Sequence, residues 1–135
     1  MSASNKTKTI KITRIYAEQG QSHFEDVELE TTLAGAAPPP PQLNLSAGFP
    51  SEHVQLLLQP PGWEAGWHPA PKRLLFCILT GEFGVEVANG ERRQFKAGEM
   101  ILVEDRSGQG HRGWVVGNAE LLTAVVQLAD NALVK

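Results

Sequence analysis

The chain has 135 residues, 41% of them hydrophobic, which suffices for one domain with its own core and calls for no second. Its 12 basic and 15 acidic side chains give a formal net charge of -3, so no broad cationic surface exists for nucleic acid or anionic lipid, and neither is expected as a partner. The lone cysteine, Cys77, excludes an intrachain disulfide and a multi-cysteine zinc site, and with no apolar run of signal or membrane-span length near Lys6, Lys8 and Lys11 a cytoplasmic setting is expected.

Residues 9–16 alternate Ile10, Ile12 and Arg14 against Lys11, Thr13 and Ile15, the period of a half-buried strand. Residues 27–32 read as its partner, across a polar loop containing Gly20. Ser22 and Glu25 match a capping box, but no helical periodicity comes after them. The stretch 34–42 holds Pro38, Pro39, Pro40 and Pro41, which donate no ladder hydrogen bonds, and is expected to form a surface strap. Residues 53–59 and 73–80 are nearly continuous apolar runs, as strands buried on both faces would be. Residues 84–88 and 91–95 flank Asn89-Gly90, which predicts a hairpin with a type I′ turn. Residues 100–104, 113–116 and 121–128 complete a set of short strands, and the class is all-β.

From Gly62 to Gly81 the chain reads Gly-Trp-Glu-Ala-Gly-Trp-His-Pro-Ala-Pro-Lys-Arg-Leu-Leu-Phe-Cys-Ile-Leu-Thr-Gly. This resembles the first motif of the cupin superfamily, with Gly62, His68 and Gly81 on the family spacing, Ala70 in the place of the second histidine and Leu74 in that of the glutamate. The run from Gly98 to His111 resembles the second motif, with an acidic, glycine-rich loop where the family has a Pro-x-Gly turn. The resemblance implies a single-domain cupin β-barrel, a double-stranded β-helix of jelly-roll type over residues 1–135. N-terminal strands would occupy 9–32, the strap 34–42 and the barrel core about 53–128. It also implies a small-molecule ligand and a homodimer.

Cupin metal centres take three histidines and a carboxylate for Fe, Mn, Ni or Zn. With two of four ligands replaced, His68 and His111 remain as candidate metal ligands for a weakly bound or absent divalent ion. Strand alternation from His68 puts Glu64 on the same face unless a bulge intervenes, so Glu64 is a candidate carboxylate. Trp67, Lys72 and Arg73 are the other pocket candidates: the indole as a flat wall near the mouth, the cations for an anionic group. Each has a plainer reading, core packing for Trp63, Trp67 and Trp114 and a solvated strand start for Lys72 and Arg73. His23 and His53 lie outside both motifs. Cys77, between Phe76 and Ile78, reads as a buried small hydrophobe.

Gly108-Gln109-Gly110-His111-Arg112-Gly113 matches the dinucleotide fingerprint by letters, but Trp114-Val115-Val116 directly after it reads as strand, so no helix N-terminus would hold a pyrophosphate. No Gly-x-Ser-x-Gly elbow occurs. Two functions stay open. One is an isomerase, lyase or dioxygenase acting on a small anionic or carbonyl compound, the other a metal-free ligand-binding or structural module.

Overall fold

The computed structural model describes residues 8–34 and 42–134. Among these residues eleven strands form two sheets: β1 (Thr9–Glu18), β2 (Gln21–Ala34), β3 (Leu43–Ser46), β4 (Ser51–Gln59), β5 (Glu64–His68), β6 (Leu74–Thr80), β7 (Glu82–Val87), β8 (Arg92–Lys96), β9 (Met100–Val103), β10 (His111–Val115) and β11 (Leu121–Leu128). The larger sheet runs β3-β2-β1-β9-β6-β11-β4 and the smaller β5-β10-β7-β8. Neither closes on itself; they pack as a jelly-roll sandwich. No helix among the described residues is long and apolar enough to cross a membrane.

The hairpin signals fall in unexpected places. β1 and β2 pair along their whole length around Gln19-Gly20, whose φ values of 54° and 76° are both positive, as a type I′ turn requires. At Asn89-Gly90 only the glycine is positive, at 97°. There Gly90 N–H donates to Val87 O and Glu91 N–H to the Asn89 side chain, so the link is a tight turn followed by a left-handed glycine, the bulged alternative to type I′. Ser22, the supposed cap, lies in β2 with its side chain buried, and the expected strap lies largely in 35–41, outside the described residues.

Alternation sends Ile15, Ile78, Ile101, Val85, Val87 and Leu121 between the sheets, where each is at most 2% exposed and contributes about 1.5–3 kcal/mol by burial. A second cluster backs the large sheet, where Ile12, Leu29, Leu102 and Leu128 pack with Ala132 of the C-terminal tail. The 53–59 and 73–80 runs are not buried on both faces as expected. β4 ends the large sheet and is exposed from Ser51 to Leu58, and most of β6 is only half-buried.

Candidate functional site

Between the sheets lies a cavity of about 290 Å³. Its walls are Ile15, Phe76, Ile101 and Val103 of the large sheet, Ala65, Phe83, Val85 and Gly113 of the small one, and Trp63. Gln59, His68 and His111 are its polar members, and among the described residues no lysine, arginine or carboxylate lines it. The lining residues that are exposed are Leu57 and Leu58 of β4 and His68 of β5, so the mouth lies between those two strands, each the terminal strand of its sheet.

His68 and His111 meet because β5 and β10 pair antiparallel with these residues opposite one another, and their ring centroids are 4.8 Å apart. Each ring is held through Nδ1. His68 Nδ1 is 2.8 Å from Gly66 O, and His111 Nδ1 is 2.7 Å from Asp105 Oδ2. A carbonyl can only accept, which puts the His68 proton on Nδ1 and leaves Nε2 with a lone pair. The Asp105 contact directs His111 in the same way.

Asp105 is completely buried, and its other oxygen, Oδ1, has no hydrogen-bond partner among the described residues. Its backbone carbonyl accepts from Ala70 N–H, tying the loop after β9 to the loop after β5. At the loop's far end Gly110, at φ +76°, passes so close to the His68 carbonyl that a Cβ would lie 1.9 Å from that oxygen. Only glycine fits there. Gly110 O accepts from the buried Ser22 hydroxyl, which itself accepts from Ala88 N–H, so three segments meet directly before His111.

The other sequence candidates lie away from the cavity. A bulge interrupts the β5–β10 ladder between the pairs His68–His111 and Ala65–Gly113. One extra residue shifts the alternation, so Ala65 joins His68 in the lining while Glu64 stands opposite Trp114 on the outer face. Trp67 is also outside, with Arg112 5.8 Å from its ring centre; Arg112 and Arg92 each lie 5.6 Å from the Trp114 ring. The Arg112 side chain hydrogen-bonds Glu86 and, with Arg92 close by, holds its carboxyl below the usual range. Lys72 is exposed. Arg73 donates to Glu104, which also receives Arg14, and to the carbonyls of Ala129, Asp130 and Ala132, so it fastens the C-terminal tail. Of the tryptophans only Trp63 lines the cavity, and His23 stacks on Tyr16 at the far hairpin.

A resident divalent metal does not fit this donor set. Two imidazole Nε2 atoms face one space, Ala70 and Leu74 offer no donor, and among the described residues no three His, Cys, Asp or Glu side chains converge. Asp105 is the polar partner that sequence reasoning missed. It is acidic and six residues before His111, but nothing in the sequence distinguishes it from its neighbour Glu104, which turns instead to Arg14 and Arg73.

No family model and no curated protein matches the chain. Solved structures do resemble it. The cupin domain of Schizosaccharomyces pombe Cnp3 superposes with a TM-score of 0.50 at 16% identity, over 89% of this chain and 88% of that one. A cupin 2 conserved barrel domain protein from Salinispora arenicola CNS-205 gives 0.49 at 20% identity over 76% of each chain, and protein NMB1881 from Neisseria meningitidis 0.45 at 14% over 93% and 84%. At such identities likeness speaks to fold alone, and the fold is an all-β jelly roll like that of the Cnp3 cupin domain.

Proposed function

We propose that this cupin-fold chain binds a small, largely apolar carbonyl compound between its sheets and moves a proton on it, as an isomerase or lyase working without a resident metal. The observation that carries the reading is the Asp105–His111 pair, whose imidazole lines a largely apolar cavity. With its proton held on Nδ1, His111 offers the Nε2 lone pair as a general base to an acidic C–H beside a carbonyl. The C–H bond breaks, its electrons pass into an enolate, and the imidazolium formed is stabilised by the adjacent Asp105. Where the substrate carries a β,γ double bond the enolate is a dienolate, and returning the same proton to its γ-carbon moves the double bond into conjugation with the carbonyl, gives the isomer and restores the base. His68, across the mouth, binds the carbonyl side or exchanges the proton with solvent.

The walls set the substrate class. An apolar lining favours an apolar body, with Trp63 as one flat surface. With no lysine or arginine in the lining, a neutral carbonyl suits the site better than a strong anion. The lone Cys77 supports a cytoplasmic setting. A binding module without chemistry is the second reading, favoured by the scarcity of polar groups in the lining.

Deuterium exchange decides between them. In heavy water the protein should catalyse exchange of the α-hydrogens of apolar ketones, read by proton NMR, and His111→Gln should abolish this while leaving the fold intact. Saturable binding with no exchange from any carbonyl tested would leave the binding module.

A further inference from the structure

We propose that the ligand of this cavity has two polar ends, a carbonyl met by the imidazoles and a neutral hydroxyl or second carbonyl held by the side chain of Gln59. β4 is exposed from Ser51 to Leu58, and its one buried residue is polar: Gln59 is 5% exposed and lines the cavity. No hydrogen bond joins its side-chain amide to another of the described residues. A buried amide without a partner costs free energy, and an apolar side chain of the same size would serve packing better.

Thr123 of β11 repeats the observation. It pairs opposite Leu57 on one side and Ile78 on the other, while its neighbour Leu121 pairs opposite Gln59, so Thr123 and Gln59 take diagonal positions on the inner face of adjacent strands. Thr123 is fully buried, and its Oγ1 has no hydrogen-bond partner among the described residues. Two polar side chains without partners thus lie side by side in a wall otherwise made of leucine, isoleucine and phenylalanine.

These groups stand at the opposite end of the cavity from the imidazoles. His111 begins β10 and Val115 ends it, about 13 Å away at the usual strand rise. Val115 N–H donates to Trp63 O and Trp63 N–H to Pro60 O, which fastens the corner directly after Gln59 to the Val115 end. A hydrogen bond of about 3 Å at each end leaves roughly 7 Å between the ligand's own polar groups, the span of a chain of about six carbons. The Gln59 amide both donates and accepts, so it satisfies a hydroxyl or donates to a carbonyl. With no cation among the described lining residues, a carboxylate at this end would be buried unpaired. The inference rests on the cavity being the ligand site, as proposed above, and does not depend on proton transfer at His111.

Calorimetry on the full chain with three linear eight-carbon methyl ketones, one plain, one with a terminal hydroxyl and one with a terminal carboxylate, tests the second anchor. The hydroxyketone should bind the wild type about tenfold more tightly than the plain ketone, and the keto acid more weakly than either. Gln59→Met, close in shape, should bring the hydroxyketone and the plain ketone to equal affinity, and its melting temperature without ligand should hold or rise, because the buried amide is gone. A merely structural glutamine would instead lose stability and leave the ratio unchanged. On the unaltered chain, nitrogen-15 spectra should show the Gln59 side-chain amide shifting with the hydroxyketone and staying still with the plain ketone, a readout that needs no folded variant. Equal affinities in the wild type, tightest binding of the keto acid, an amide unmoved by the hydroxyketone or an unchanged ratio in a folded Gln59→Met overturns the anchor; a plain ketone that still binds and exchanges its α-hydrogens then leaves the function above standing. Absence of that exchange with the hydroxyl preference present strikes the proton transfer and upholds the anchor. If no ketone binds, both fall.

Discussion

Asp105 and His111 form a sealed pair, the carboxylate at 0% exposure with Oδ2 2.7 Å from an imidazole that is itself only 12% exposed. The arrangement fixes which ring nitrogen is free. Replacing Asp105 by Ala leaves Nδ1 without its partner in a buried setting and should cost about 1–3 kcal/mol in urea unfolding. Asp105→Asn keeps an acceptor of the same shape and should cost less. Removing a buried carboxylate that has one unpartnered oxygen also recovers some desolvation energy. The two variants should differ more in stability than in chemistry: nitrogen-15 shifts of the His111 ring should show a mixed tautomer in Asp105→Ala, and α-hydrogen exchange should fall in both.

Ser22 and Gly110 act on the same loop from opposite sides. Ser22→Ala removes a buried hydroxyl that serves two backbone groups, leaving Gly110 O and Ala88 N–H unpaired at a cost of about 1–3 kcal/mol. Gly110→Ala forces a Cβ onto the His68 carbonyl in a backbone region that L-residues avoid. It should be the more damaging of the two and should move His111 away from His68. Thermal melting ranks the losses, and nuclear Overhauser contacts between the two imidazoles report their separation.

The all-β class and most strands were legible because alternation and turn residues survive in the sequence at β1, β7, β8, β9 and β11. Burial was not. Residues 53–59 look like a core strand because they are apolar, and only the strand order shows that β4 has a neighbour on one side alone. The His68–His111 meeting was implied by the resemblance to the two cupin motifs, whereas Glu64 depended on an uninterrupted alternation that the bulge at Gly66 and Trp67 breaks. Periodicity carries no signal for a single inserted residue. The roles of Glu104 and Asp105 were beyond reach for a similar reason: two adjacent acids just after β9 turn to different partners, Arg73 and His111, and only those partners tell them apart.

Acid sensitivity should trace to arginine-paired carboxylates on the sheets' outer surfaces. The hydrogen bond from Arg112 lowers the Glu86 pKa below its usual 4.5, and that from Arg93 lowers Asp26 below 3.8. A carboxyl with a lowered folded-state pKa contributes stability that is present above its unfolded value and lost as pH falls through the folded one. Stability should therefore decline below about pH 4.5, and Glu86→Gln should lower stability between pH 6 and 8, where the paired carboxylate contributes, flatten the upper part of the decline, and converge with the wild type at low pH. Urea midpoints measured across pH 3–7 check both the sign and the window.

Filling the cavity separates its role as a ligand site from its role in folding. Ala65 lines it from β5, three residues from His68 and across the ladder from Gly113. In Ala65→Phe the added ring can occupy apolar space that already exists, so burial should offset the strain of a larger side chain, and the melting temperature should hold or rise. Ligand binding should then vanish, because the ring takes the volume the substrate's apolar body needs while leaving Asp105 and both imidazoles untouched. A screen of apolar ketones by thermal shift makes the comparison: compounds that raise the wild-type melt should leave the variant unmoved. If they stabilise both proteins equally, they bind elsewhere, and the space between the sheets is packing slack in a structural module.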